Sequence, residues 1–267
     1  MKLETIGTFA FANGFKQLMP GSFQTSAELT TERRTDVELR DDFFYTANFG
    51  VYLVEDDQVV LYFGGREANP ILKNIDEACR QLINTKNYRV SKKEMDAVLD
   101  SVESGYTLRV VLSDLDLQKY LNDRFRKFEV PTYNMDGNKD PAGYELFNES
   151  QRSLAERVYG TGDDFIENME MLNHAGISLT EIVVLSPEYV IENTKNSPIA
   201  RPGTWLLGFD KNSAFALGDS FVHMVLNLRG VKLVTLPESA MHDVLGRYLE
   251  TDKLTEAKAE LACHYVK

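Results

Sequence analysis

Ala214-Phe-Ala-Leu-Gly-Asp-Ser-Phe-Val-His-Met-Val-Leu-Asn-Leu-Arg-Gly-Val-Lys-Leu-Val-Thr-Leu236 is the stretch on which the fold reading turns. It reads as a strand, a Gly-Asp-Ser turn, an apolar helix, a glycine and a second strand. The turn sets Asp219 at the carboxyl end of a strand and at the start of a helix, where open α/β sheets bind ligands. Upstream, residues 108–112 and 181–185 read as short buried strands. Two helical stretches, 149–159 and 163–174, lie between them and are closed by Gly160 and Gly176. Strand alternating with helix favours a parallel or mixed sheet with helical cover.

The first half has a different texture. Phe49-Gly-Val-Tyr-Leu-Val and Val59-Val-Leu-Tyr-Phe flank the polar Glu55-Asp-Asp-Gln, the signature of a hairpin. Asn69 before Pro70 starts a helix with an apolar stripe at Ile71, Ile75, Cys79 and Leu82. Ser91-Lys-Lys-Glu94 is a capping box for the next helix, and Gly105 suits its C-terminal stop. The expected fold is therefore mixed α/β. A β-led N-terminal region over 1–104, with a hairpin and two helices, precedes an α/β part over 105–267, with a soft boundary near Gly105. Three further expectations concern the second part. Ser113-Asp114-Leu115-Asp116 opens a helix towards Phe128, residues 197–203 form a loop, and residues 205–209 are strand or helix.

The composition excludes several functions. The 267 residues carry a formal charge of −12, divided as −5 over 1–104 and −7 over 105–267. That argues against bare nucleic acid and anionic membranes as partners, since both call for a basic surface. No apolar run approaches the length of a membrane span. Cys79 and Cys263 offer neither a disulfide framework nor a metal pair, which suits a reducing, cytoplasmic setting.

Four features fall in order along the second part. Val110-Val-Leu-Ser-Asp114-Leu-Asp116 is a strand followed by two carboxylates. Ile182-Val-Val-Leu-Ser186 is a strand ending in a hydroxyl. Arg201-Pro202 is a cation before a proline, and Leu217-Gly-Asp219 is a strand ending in a carboxylate. This order resembles the haloacid dehalogenase-like phosphohydrolases. The resemblance implies Asp114 as nucleophile, Asp116 as acid and base, Ser186 and Arg201 as phosphate-holding groups, and Asp219 as a Mg²⁺ ligand. A carboxylate attacking phosphorus needs those partners to take the proton, hold the oxygens and offset the charge. Gln118 stands where that family has Thr, and His223 where it has a further Asp.

Each residue also has an ordinary reading. Ser113 with Asp116 is a capping box, and Ser186 and Asp219 are N-caps. Gly218-Asp219-Ser220 is similar to the motif of Gly-Asp-Ser esterases, but no downstream His follows an Asp by three residues. Gly64-Gly65-Arg66 could cradle an anion or simply turn a corner. Since no catalytic set is complete, the expected function is a non-catalytic, acidic interaction or assembly module that needs no cofactor. The alternative is the Mg²⁺-dependent phosphohydrolase. Aromatic residues Phe9, Phe11, Phe15, Phe23, Phe43, Phe44 and Tyr45 single out residues 1–45 as a contact with a protein partner or a second copy.

Overall fold

A computed structural model gives the fold; the described residues are 24–32, 34, 42–74, 77–78, 81, 87–120, 123–132, 147–195, 197–207 and 213–217. Asp219, its neighbours Gly218, Ser220 and His223, both cysteines and most of residues 1–45 lie outside them. So do Ile75, Leu82 and every element expected after residue 217.

Strand β1 (Asp42–Glu55) and strand β2 (Gln58–Gly64) form the expected hairpin. Glu55 pairs with Gln58 across Asp56 and Asp57, whose φ values of 48° and 62° are those of a type I′ turn. Two acidic turn residues tolerate the left-handed region, and the turn's twist matches that of the strands. Helix α1 (Ser26–Glu32) precedes the hairpin in the chain, and Asn69 caps helix α2 (Pro70–Lys73) after it. The Asn69 side chain accepts from the N–H groups of Ile71 and Leu72. Strand β3 (Tyr88–Arg89) leads into helix α3 (Lys92–Glu103), and strand β4 (Thr107–Val111) follows.

The capping box of α3 carries a pH dependence. Glu94 is partly buried, which alone would raise its carboxyl. Hydrogen bonds from Ser91, Tyr88 and Asn74 outweigh that and hold it below the usual glutamate range. A folded pKa below the unfolded one adds stability above the unfolded value and loses it as pH falls through the folded value. The thermal midpoint of wild type should therefore exceed that of Glu94→Gln at pH 7. The gap should close as the pH falls below about 4. A gap that stays constant to pH 2.5 would show that the Glu94 charge contributes nothing.

Beyond β4 the structure departs from the expectation. Residues 112–114 form a single 3-10 turn, not the start of a helix to Phe128. Strand β5 (Gln118–Tyr120) and strand β6 (Phe125–Pro131) follow as an antiparallel pair. Helix α4 (Glu149–Tyr159), helix α5 (Asp163–His174), strand β7 (Leu179–Leu185) and helix α6 (Pro187–Asn193) come next. Strand β8 (Ile199–Leu207) takes in the expected loop at Arg201-Pro202-Gly203, and strand β9 (Ser213–Leu217) ends the described chain.

The strand order is β4-β2-β1-β8-β9-β7-β6-β5, with β3 also on β8. Every pairing is antiparallel except β7 with β9. The α/β architecture with a parallel or mixed sheet under helical cover is thus overturned in favour of a β-rich, essentially antiparallel one. The reason lies in residues 118–131 and 199–207. Where helix or loop was expected, strand follows strand, and such neighbours pair antiparallel. Strands from both sides of Gly105 join this one sheet.

The sheet curls. β4 and β5 are its two ends, yet only residues 112–117 separate them in the chain, a reach of at most about 25 Å. Eight strands laid flat would hold their ends about 34 Å apart. Inside the curl Tyr52, Leu61, Phe63, Phe128, Ile182 and Phe215 form one core with α4 and α5. On the outer face of the hairpin Phe49, Val51, Val60 and Tyr62 form a second core with Ile71 and Val98. Alternate residues of β1 and β2 thus serve different cores. Helix α4 runs along β4: Arg157 donates to the Gly105 carbonyl and Asn148 to the Asp114 carbonyl, at opposite ends of that strand.

Candidate functional site

Among the described residues a developed concavity lies where α1 crosses an irregularity in β1. Tyr45 pairs with Thr204 and Phe49 with Pro202, so Thr46, Ala47 and Asn48 together face Gly203 alone. Such a bulge takes backbone groups out of the ladder, and buried groups need new partners. Gln24, Asn69 and Thr46 supply them, and Ser26 bonds the Asn48 side chain. The Ala47 N–H donates to the Gln24 carbonyl at 2.7 Å, and the Ser26 N–H to Asn48 Oδ1 at 2.7 Å. Asn69 Nδ2 donates to the Ala47 carbonyl at 2.9 Å, and Thr46 Oγ1 to the Gly203 carbonyl at 3.2 Å.

Helix α1 is held at both ends. Thr25 and Glu28 make a capping box: the Thr25 N–H donates to Glu28 Oε2 at 2.7 Å and the Glu28 N–H to Thr25 Oγ1 at 3.3 Å. Past its other end Arg34 reaches α5. It donates to Asp164 at 2.8 Å and to Asn168 at 2.8 Å, and it also pairs with Glu167. A planar guanidinium with several fixed donors suits this multiple grip.

Between α1, the end of β2 and the α4–α5 corner is a cleft of about 590 Å³, within the usual range for ligand sites. Asn48, Phe63, Gly64 and Gly65 line it from the sheet; Glu156, Arg157, Gly160, Thr161 and Asp164 line it from the corner. Tyr106 also lines it. At 57 % exposure it is the most exposed large hydrophobic residue among those described. Its position is fixed from below. α3 ends in a Schellman motif, in which the Gly105 N–H donates to the Val102 carbonyl and the Tyr106 N–H to the Ser101 carbonyl, each at 2.9 Å. Gly105 takes the required positive φ, 76°. Arg157 then fastens the Gly105 carbonyl to α4.

The residues that carry the phosphohydrolase resemblance, where they are described, lie elsewhere. Asp114 ends the 3-10 turn and Asp116 follows it; both are exposed on the connection from β4 to β5. Ser186 is fully buried as the N-cap of α6 and accepts from the Tyr189 N–H at 3.2 Å. Arg201 is fully buried within β8, and its Nη2 donates to the Tyr189 hydroxyl at 3.3 Å. The structure thus links Ser186 to Arg201 through Tyr189, while the two carboxylates stand in solvent. Arg124 stacks on the Tyr189 ring at 4.7 Å, which adds a second guanidinium to that buried group. Gly64 and Gly65 turn a corner and line the cleft. Among the described residues no set of three or more His, Cys, Asp or Glu side chains is arranged to hold a metal ion. Among them also, no helix is long and apolar enough to cross a membrane.

The cleft could not be read as a unit from the sequence. Its residues come from positions 24–32, 48, 63–67, 106 and 156–164, each ordinary by itself. One local signal was present: Thr25-Ser-Ala-Glu28 has the capping-box spacing that places α1.

No family model matches the chain, and no curated protein matches it. Among solved structures it is similar to one described as the accommodation of massive sequence variation in Nanoarchaeota by the C-type lectin fold. The TM-score is 0.50 at 11 % identity, over 78 % of this chain and 88 % of that one. The likeness is one of fold. It overturns the resemblance to haloacid dehalogenase-like phosphohydrolases, which rested on short motifs in sequence order. The strands that carry those motifs belong to a curled, essentially antiparallel sheet.

Proposed function

We propose that the protein is a binding module that engages a protein partner through the cleft beneath α1. The observation that carries this reading is Tyr106. Its backbone is fixed by a Schellman motif and by the Arg157 bond to Gly105, and the residue lines the concave site with its aromatic group exposed. Pre-organised aromatic residues give much contact area for little lost freedom, and they recur as anchors at interfaces. The scaffold suits the role. The cleft is made of helix ends and turns set on a packed sheet, the common arrangement for recognition surfaces. The related fold in Nanoarchaeota is described as accommodating massive sequence variation, which a core independent of its surface permits.

Selection from a displayed peptide library tests the reading. Peptides enriched on the wild-type protein should lose affinity about 10-fold with Tyr106→Ala. They should lose as much with Thr161→Trp, which fills the cleft from the α4–α5 corner. Enriched peptides that bind both variants as they bind wild type would overturn it.

A further inference from the structure

We propose that a second groove, where β1 runs past the start of β8, takes the carboxyl end of a partner chain, added as a short strand beside Val54. This site is separate from the cleft beneath α1 and does not rest on it. The ladder supplies the first ground. A two-residue turn makes Glu55 and Gln58 a hydrogen-bonded pair, so by alternation the backbone groups of Leu53 and Glu55 face β2 and those of Tyr52 and Val54 face β8. Tyr52 has its partner there, Ile199. Val54 has none among the described residues, since the rung it would make with Ser197 is not formed. The Pro198 carbonyl accepts from the Val90 N–H at 3.0 Å, and the Ser197 carbonyl from Arg89 Nη1 at 3.4 Å. Both carbonyls are thus engaged on the β3 side, and the edge of β1 stays open at Val54.

The second ground is the groove that this missing rung leaves, of about 380 Å³. Leu53 and Val54 line it from β1, Ile191 from α6, and Thr194, Lys195, Ser197 and Pro198 from the connection to β8. Four large hydrophobic residues are exposed among those described. Two of them, Val54 at 42 % and Ile191 at 50 %, line this one groove. Apolar side chains beside an unpaired strand edge are the elements of recognition by strand addition. The edge supplies main-chain bonds, and the groove takes a side chain of the added strand. One open rung accommodates the end of such a strand rather than its middle.

Charge sets which end. In the register of β1 with β8, Pro198 follows opposite Leu53, so a strand added beside Val54 is stopped there. Lying antiparallel to β1, that strand presents its carboxyl terminus to the stop; lying parallel, it presents its amino terminus. Lys195 is the one charged residue that lines the groove, and it forms no ion pair among the described residues. On a chain of 41 carboxylates and 29 basic residues, a groove whose charged lining is a lysine alone runs against the general acidity. It attracts a carboxylate and repels an ammonium group, which selects the antiparallel sense. A carboxyl-terminal Val, Leu, Ile or Phe satisfies the rung, the groove and the lysine together.

Fluorescence anisotropy on the full chain tests this with pools of synthetic hexapeptides, labelled at the amino end and randomised except at the last residue. Pools that end in Val, Leu, Ile or Phe with a free carboxyl group should bind saturably. The same pools amidated at that end should bind at least about 10-fold more weakly. Lys195→Gln should weaken binding about 3- to 5-fold, and Ile191→Asp at least about 10-fold. Both changes are on exposed side chains, and an unchanged denaturant midpoint shows the fold intact. Tyr106→Ala should leave binding unchanged, which separates this groove from the cleft beneath α1. The Val54 amide proton should exchange more slowly in the complex than in the free protein.

Absence of saturable binding by every apolar-ended pool up to about 1 mM would overturn the proposal. So would equal binding of free and amidated ends, which would make the occupant an internal segment. Binding that Lys195→Gln and Ile191→Asp leave intact and Tyr106→Ala removes would put the carboxyl end in the cleft beneath α1 instead. A dimer seen by sedimentation and lost with Ile191→Asp, with no peptide bound, would make the occupant a second copy and overturn it likewise.

Discussion

Phe215→Ala is expected to lower the free energy of unfolding by about 3–5 kcal/mol, measured from the denaturant midpoint at constant slope. Phe215 is fully buried in β9, at the place where the sheet changes its pairing sense. On one side it is opposite Trp205 of the antiparallel β8, on the other opposite Ile182 of the parallel β7. Its ring meets that of Phe63, from β2, at 5.7 Å and 85°, an edge-to-face contact. In the strand order β2 and β9 are separated by β1 and β8, so this contact spans the inside of the curl. Truncation would remove the ring and leave a void that a sheet braced on both sides cannot close. A double-mutant cycle of Phe63→Leu with Phe215→Leu should show coupling of about 0.5–1.5 kcal/mol. A cost below 1 kcal/mol for Phe215→Ala would mean that the sheet is not wrapped in this way.

The sequence disclosed the local elements better than their arrangement, and the two kinds of residue explain why. Asp56-Asp57 between alternating aromatic and β-branched residues specifies a turn and a hairpin together. Asn69-Pro70, Ser91 with Glu94, Asn148 before Glu149, and Gly105 after α3 fix helix ends through bonds within a few residues. Such signals are complete in themselves. Ser113-Asp114-Leu115-Asp116 has the same spacing, yet no helical stripe follows it. Leu115, Phe125, Phe128 and Val130 enter the inner core from a turn and a strand. What decides those residues is β7, whose Thr180 pairs with Val130 some fifty positions on. Pro202 and Gly203 likewise read as loop. They are strand because Thr46, Ala47 and Asn48 of β1 bulge opposite them. The reading of 214–236 as two strands about a helix made an α/β sheet the natural expectation. Its described part, β9, does lie parallel to β7, but between otherwise antiparallel strands.

The candidate site was illegible for a related reason. Asp114, Asp116, Ser186 and Arg201 drew attention because motif order in sequence is easily seen. Burial separates them: Ser186 and Arg201 are at 0 % exposure, whereas the two aspartates face solvent. The cleft, by contrast, is a meeting of α1, β2, the α3 stop and the α4–α5 corner. The bulge bonds of residues 24–26, the Arg34 grip on α5, the Asn168 bond to Thr31 and the Arg66–Glu28 pair bring α1 into it. None of those bonds has a sequence signature beyond the Thr25–Glu28 cap.

Gly64→Ala is expected to cost about 3 kcal/mol, at the upper end of what added volume in a packed site brings. Gly64 sits between Phe49 of β1 and Thr107 of β4 in the ladder. A Cβ there would stand 2.7 Å from Phe49 Cε1, 2.8 Å from Phe49 Cζ and 2.7 Å from Thr107 Oγ1. Neither neighbour can yield easily. Phe49 is wholly buried in the outer core, and Thr107 is bonded to Ser101 under α3. The comparison is Gly176→Ala, where φ is 84° and nothing stands within 4 Å. That change costs only the left-handed conformation, about 1–2 kcal/mol. Phe49→Leu placed on Gly64→Ala should recover part of the loss if the ring is the obstacle, and none of it if the strand itself is strained. Because Gly64 also lines the cleft, the pair of variants bears on recognition. Recovery of stability with the Phe49→Leu, Gly64→Ala protein should restore peptide binding only if the sheet side of the cleft recovers its shape. Stability equal to wild type in Gly64→Ala alone would show that Phe49 does not lie over this glycine, and would remove the close approach on which that side of the cleft depends.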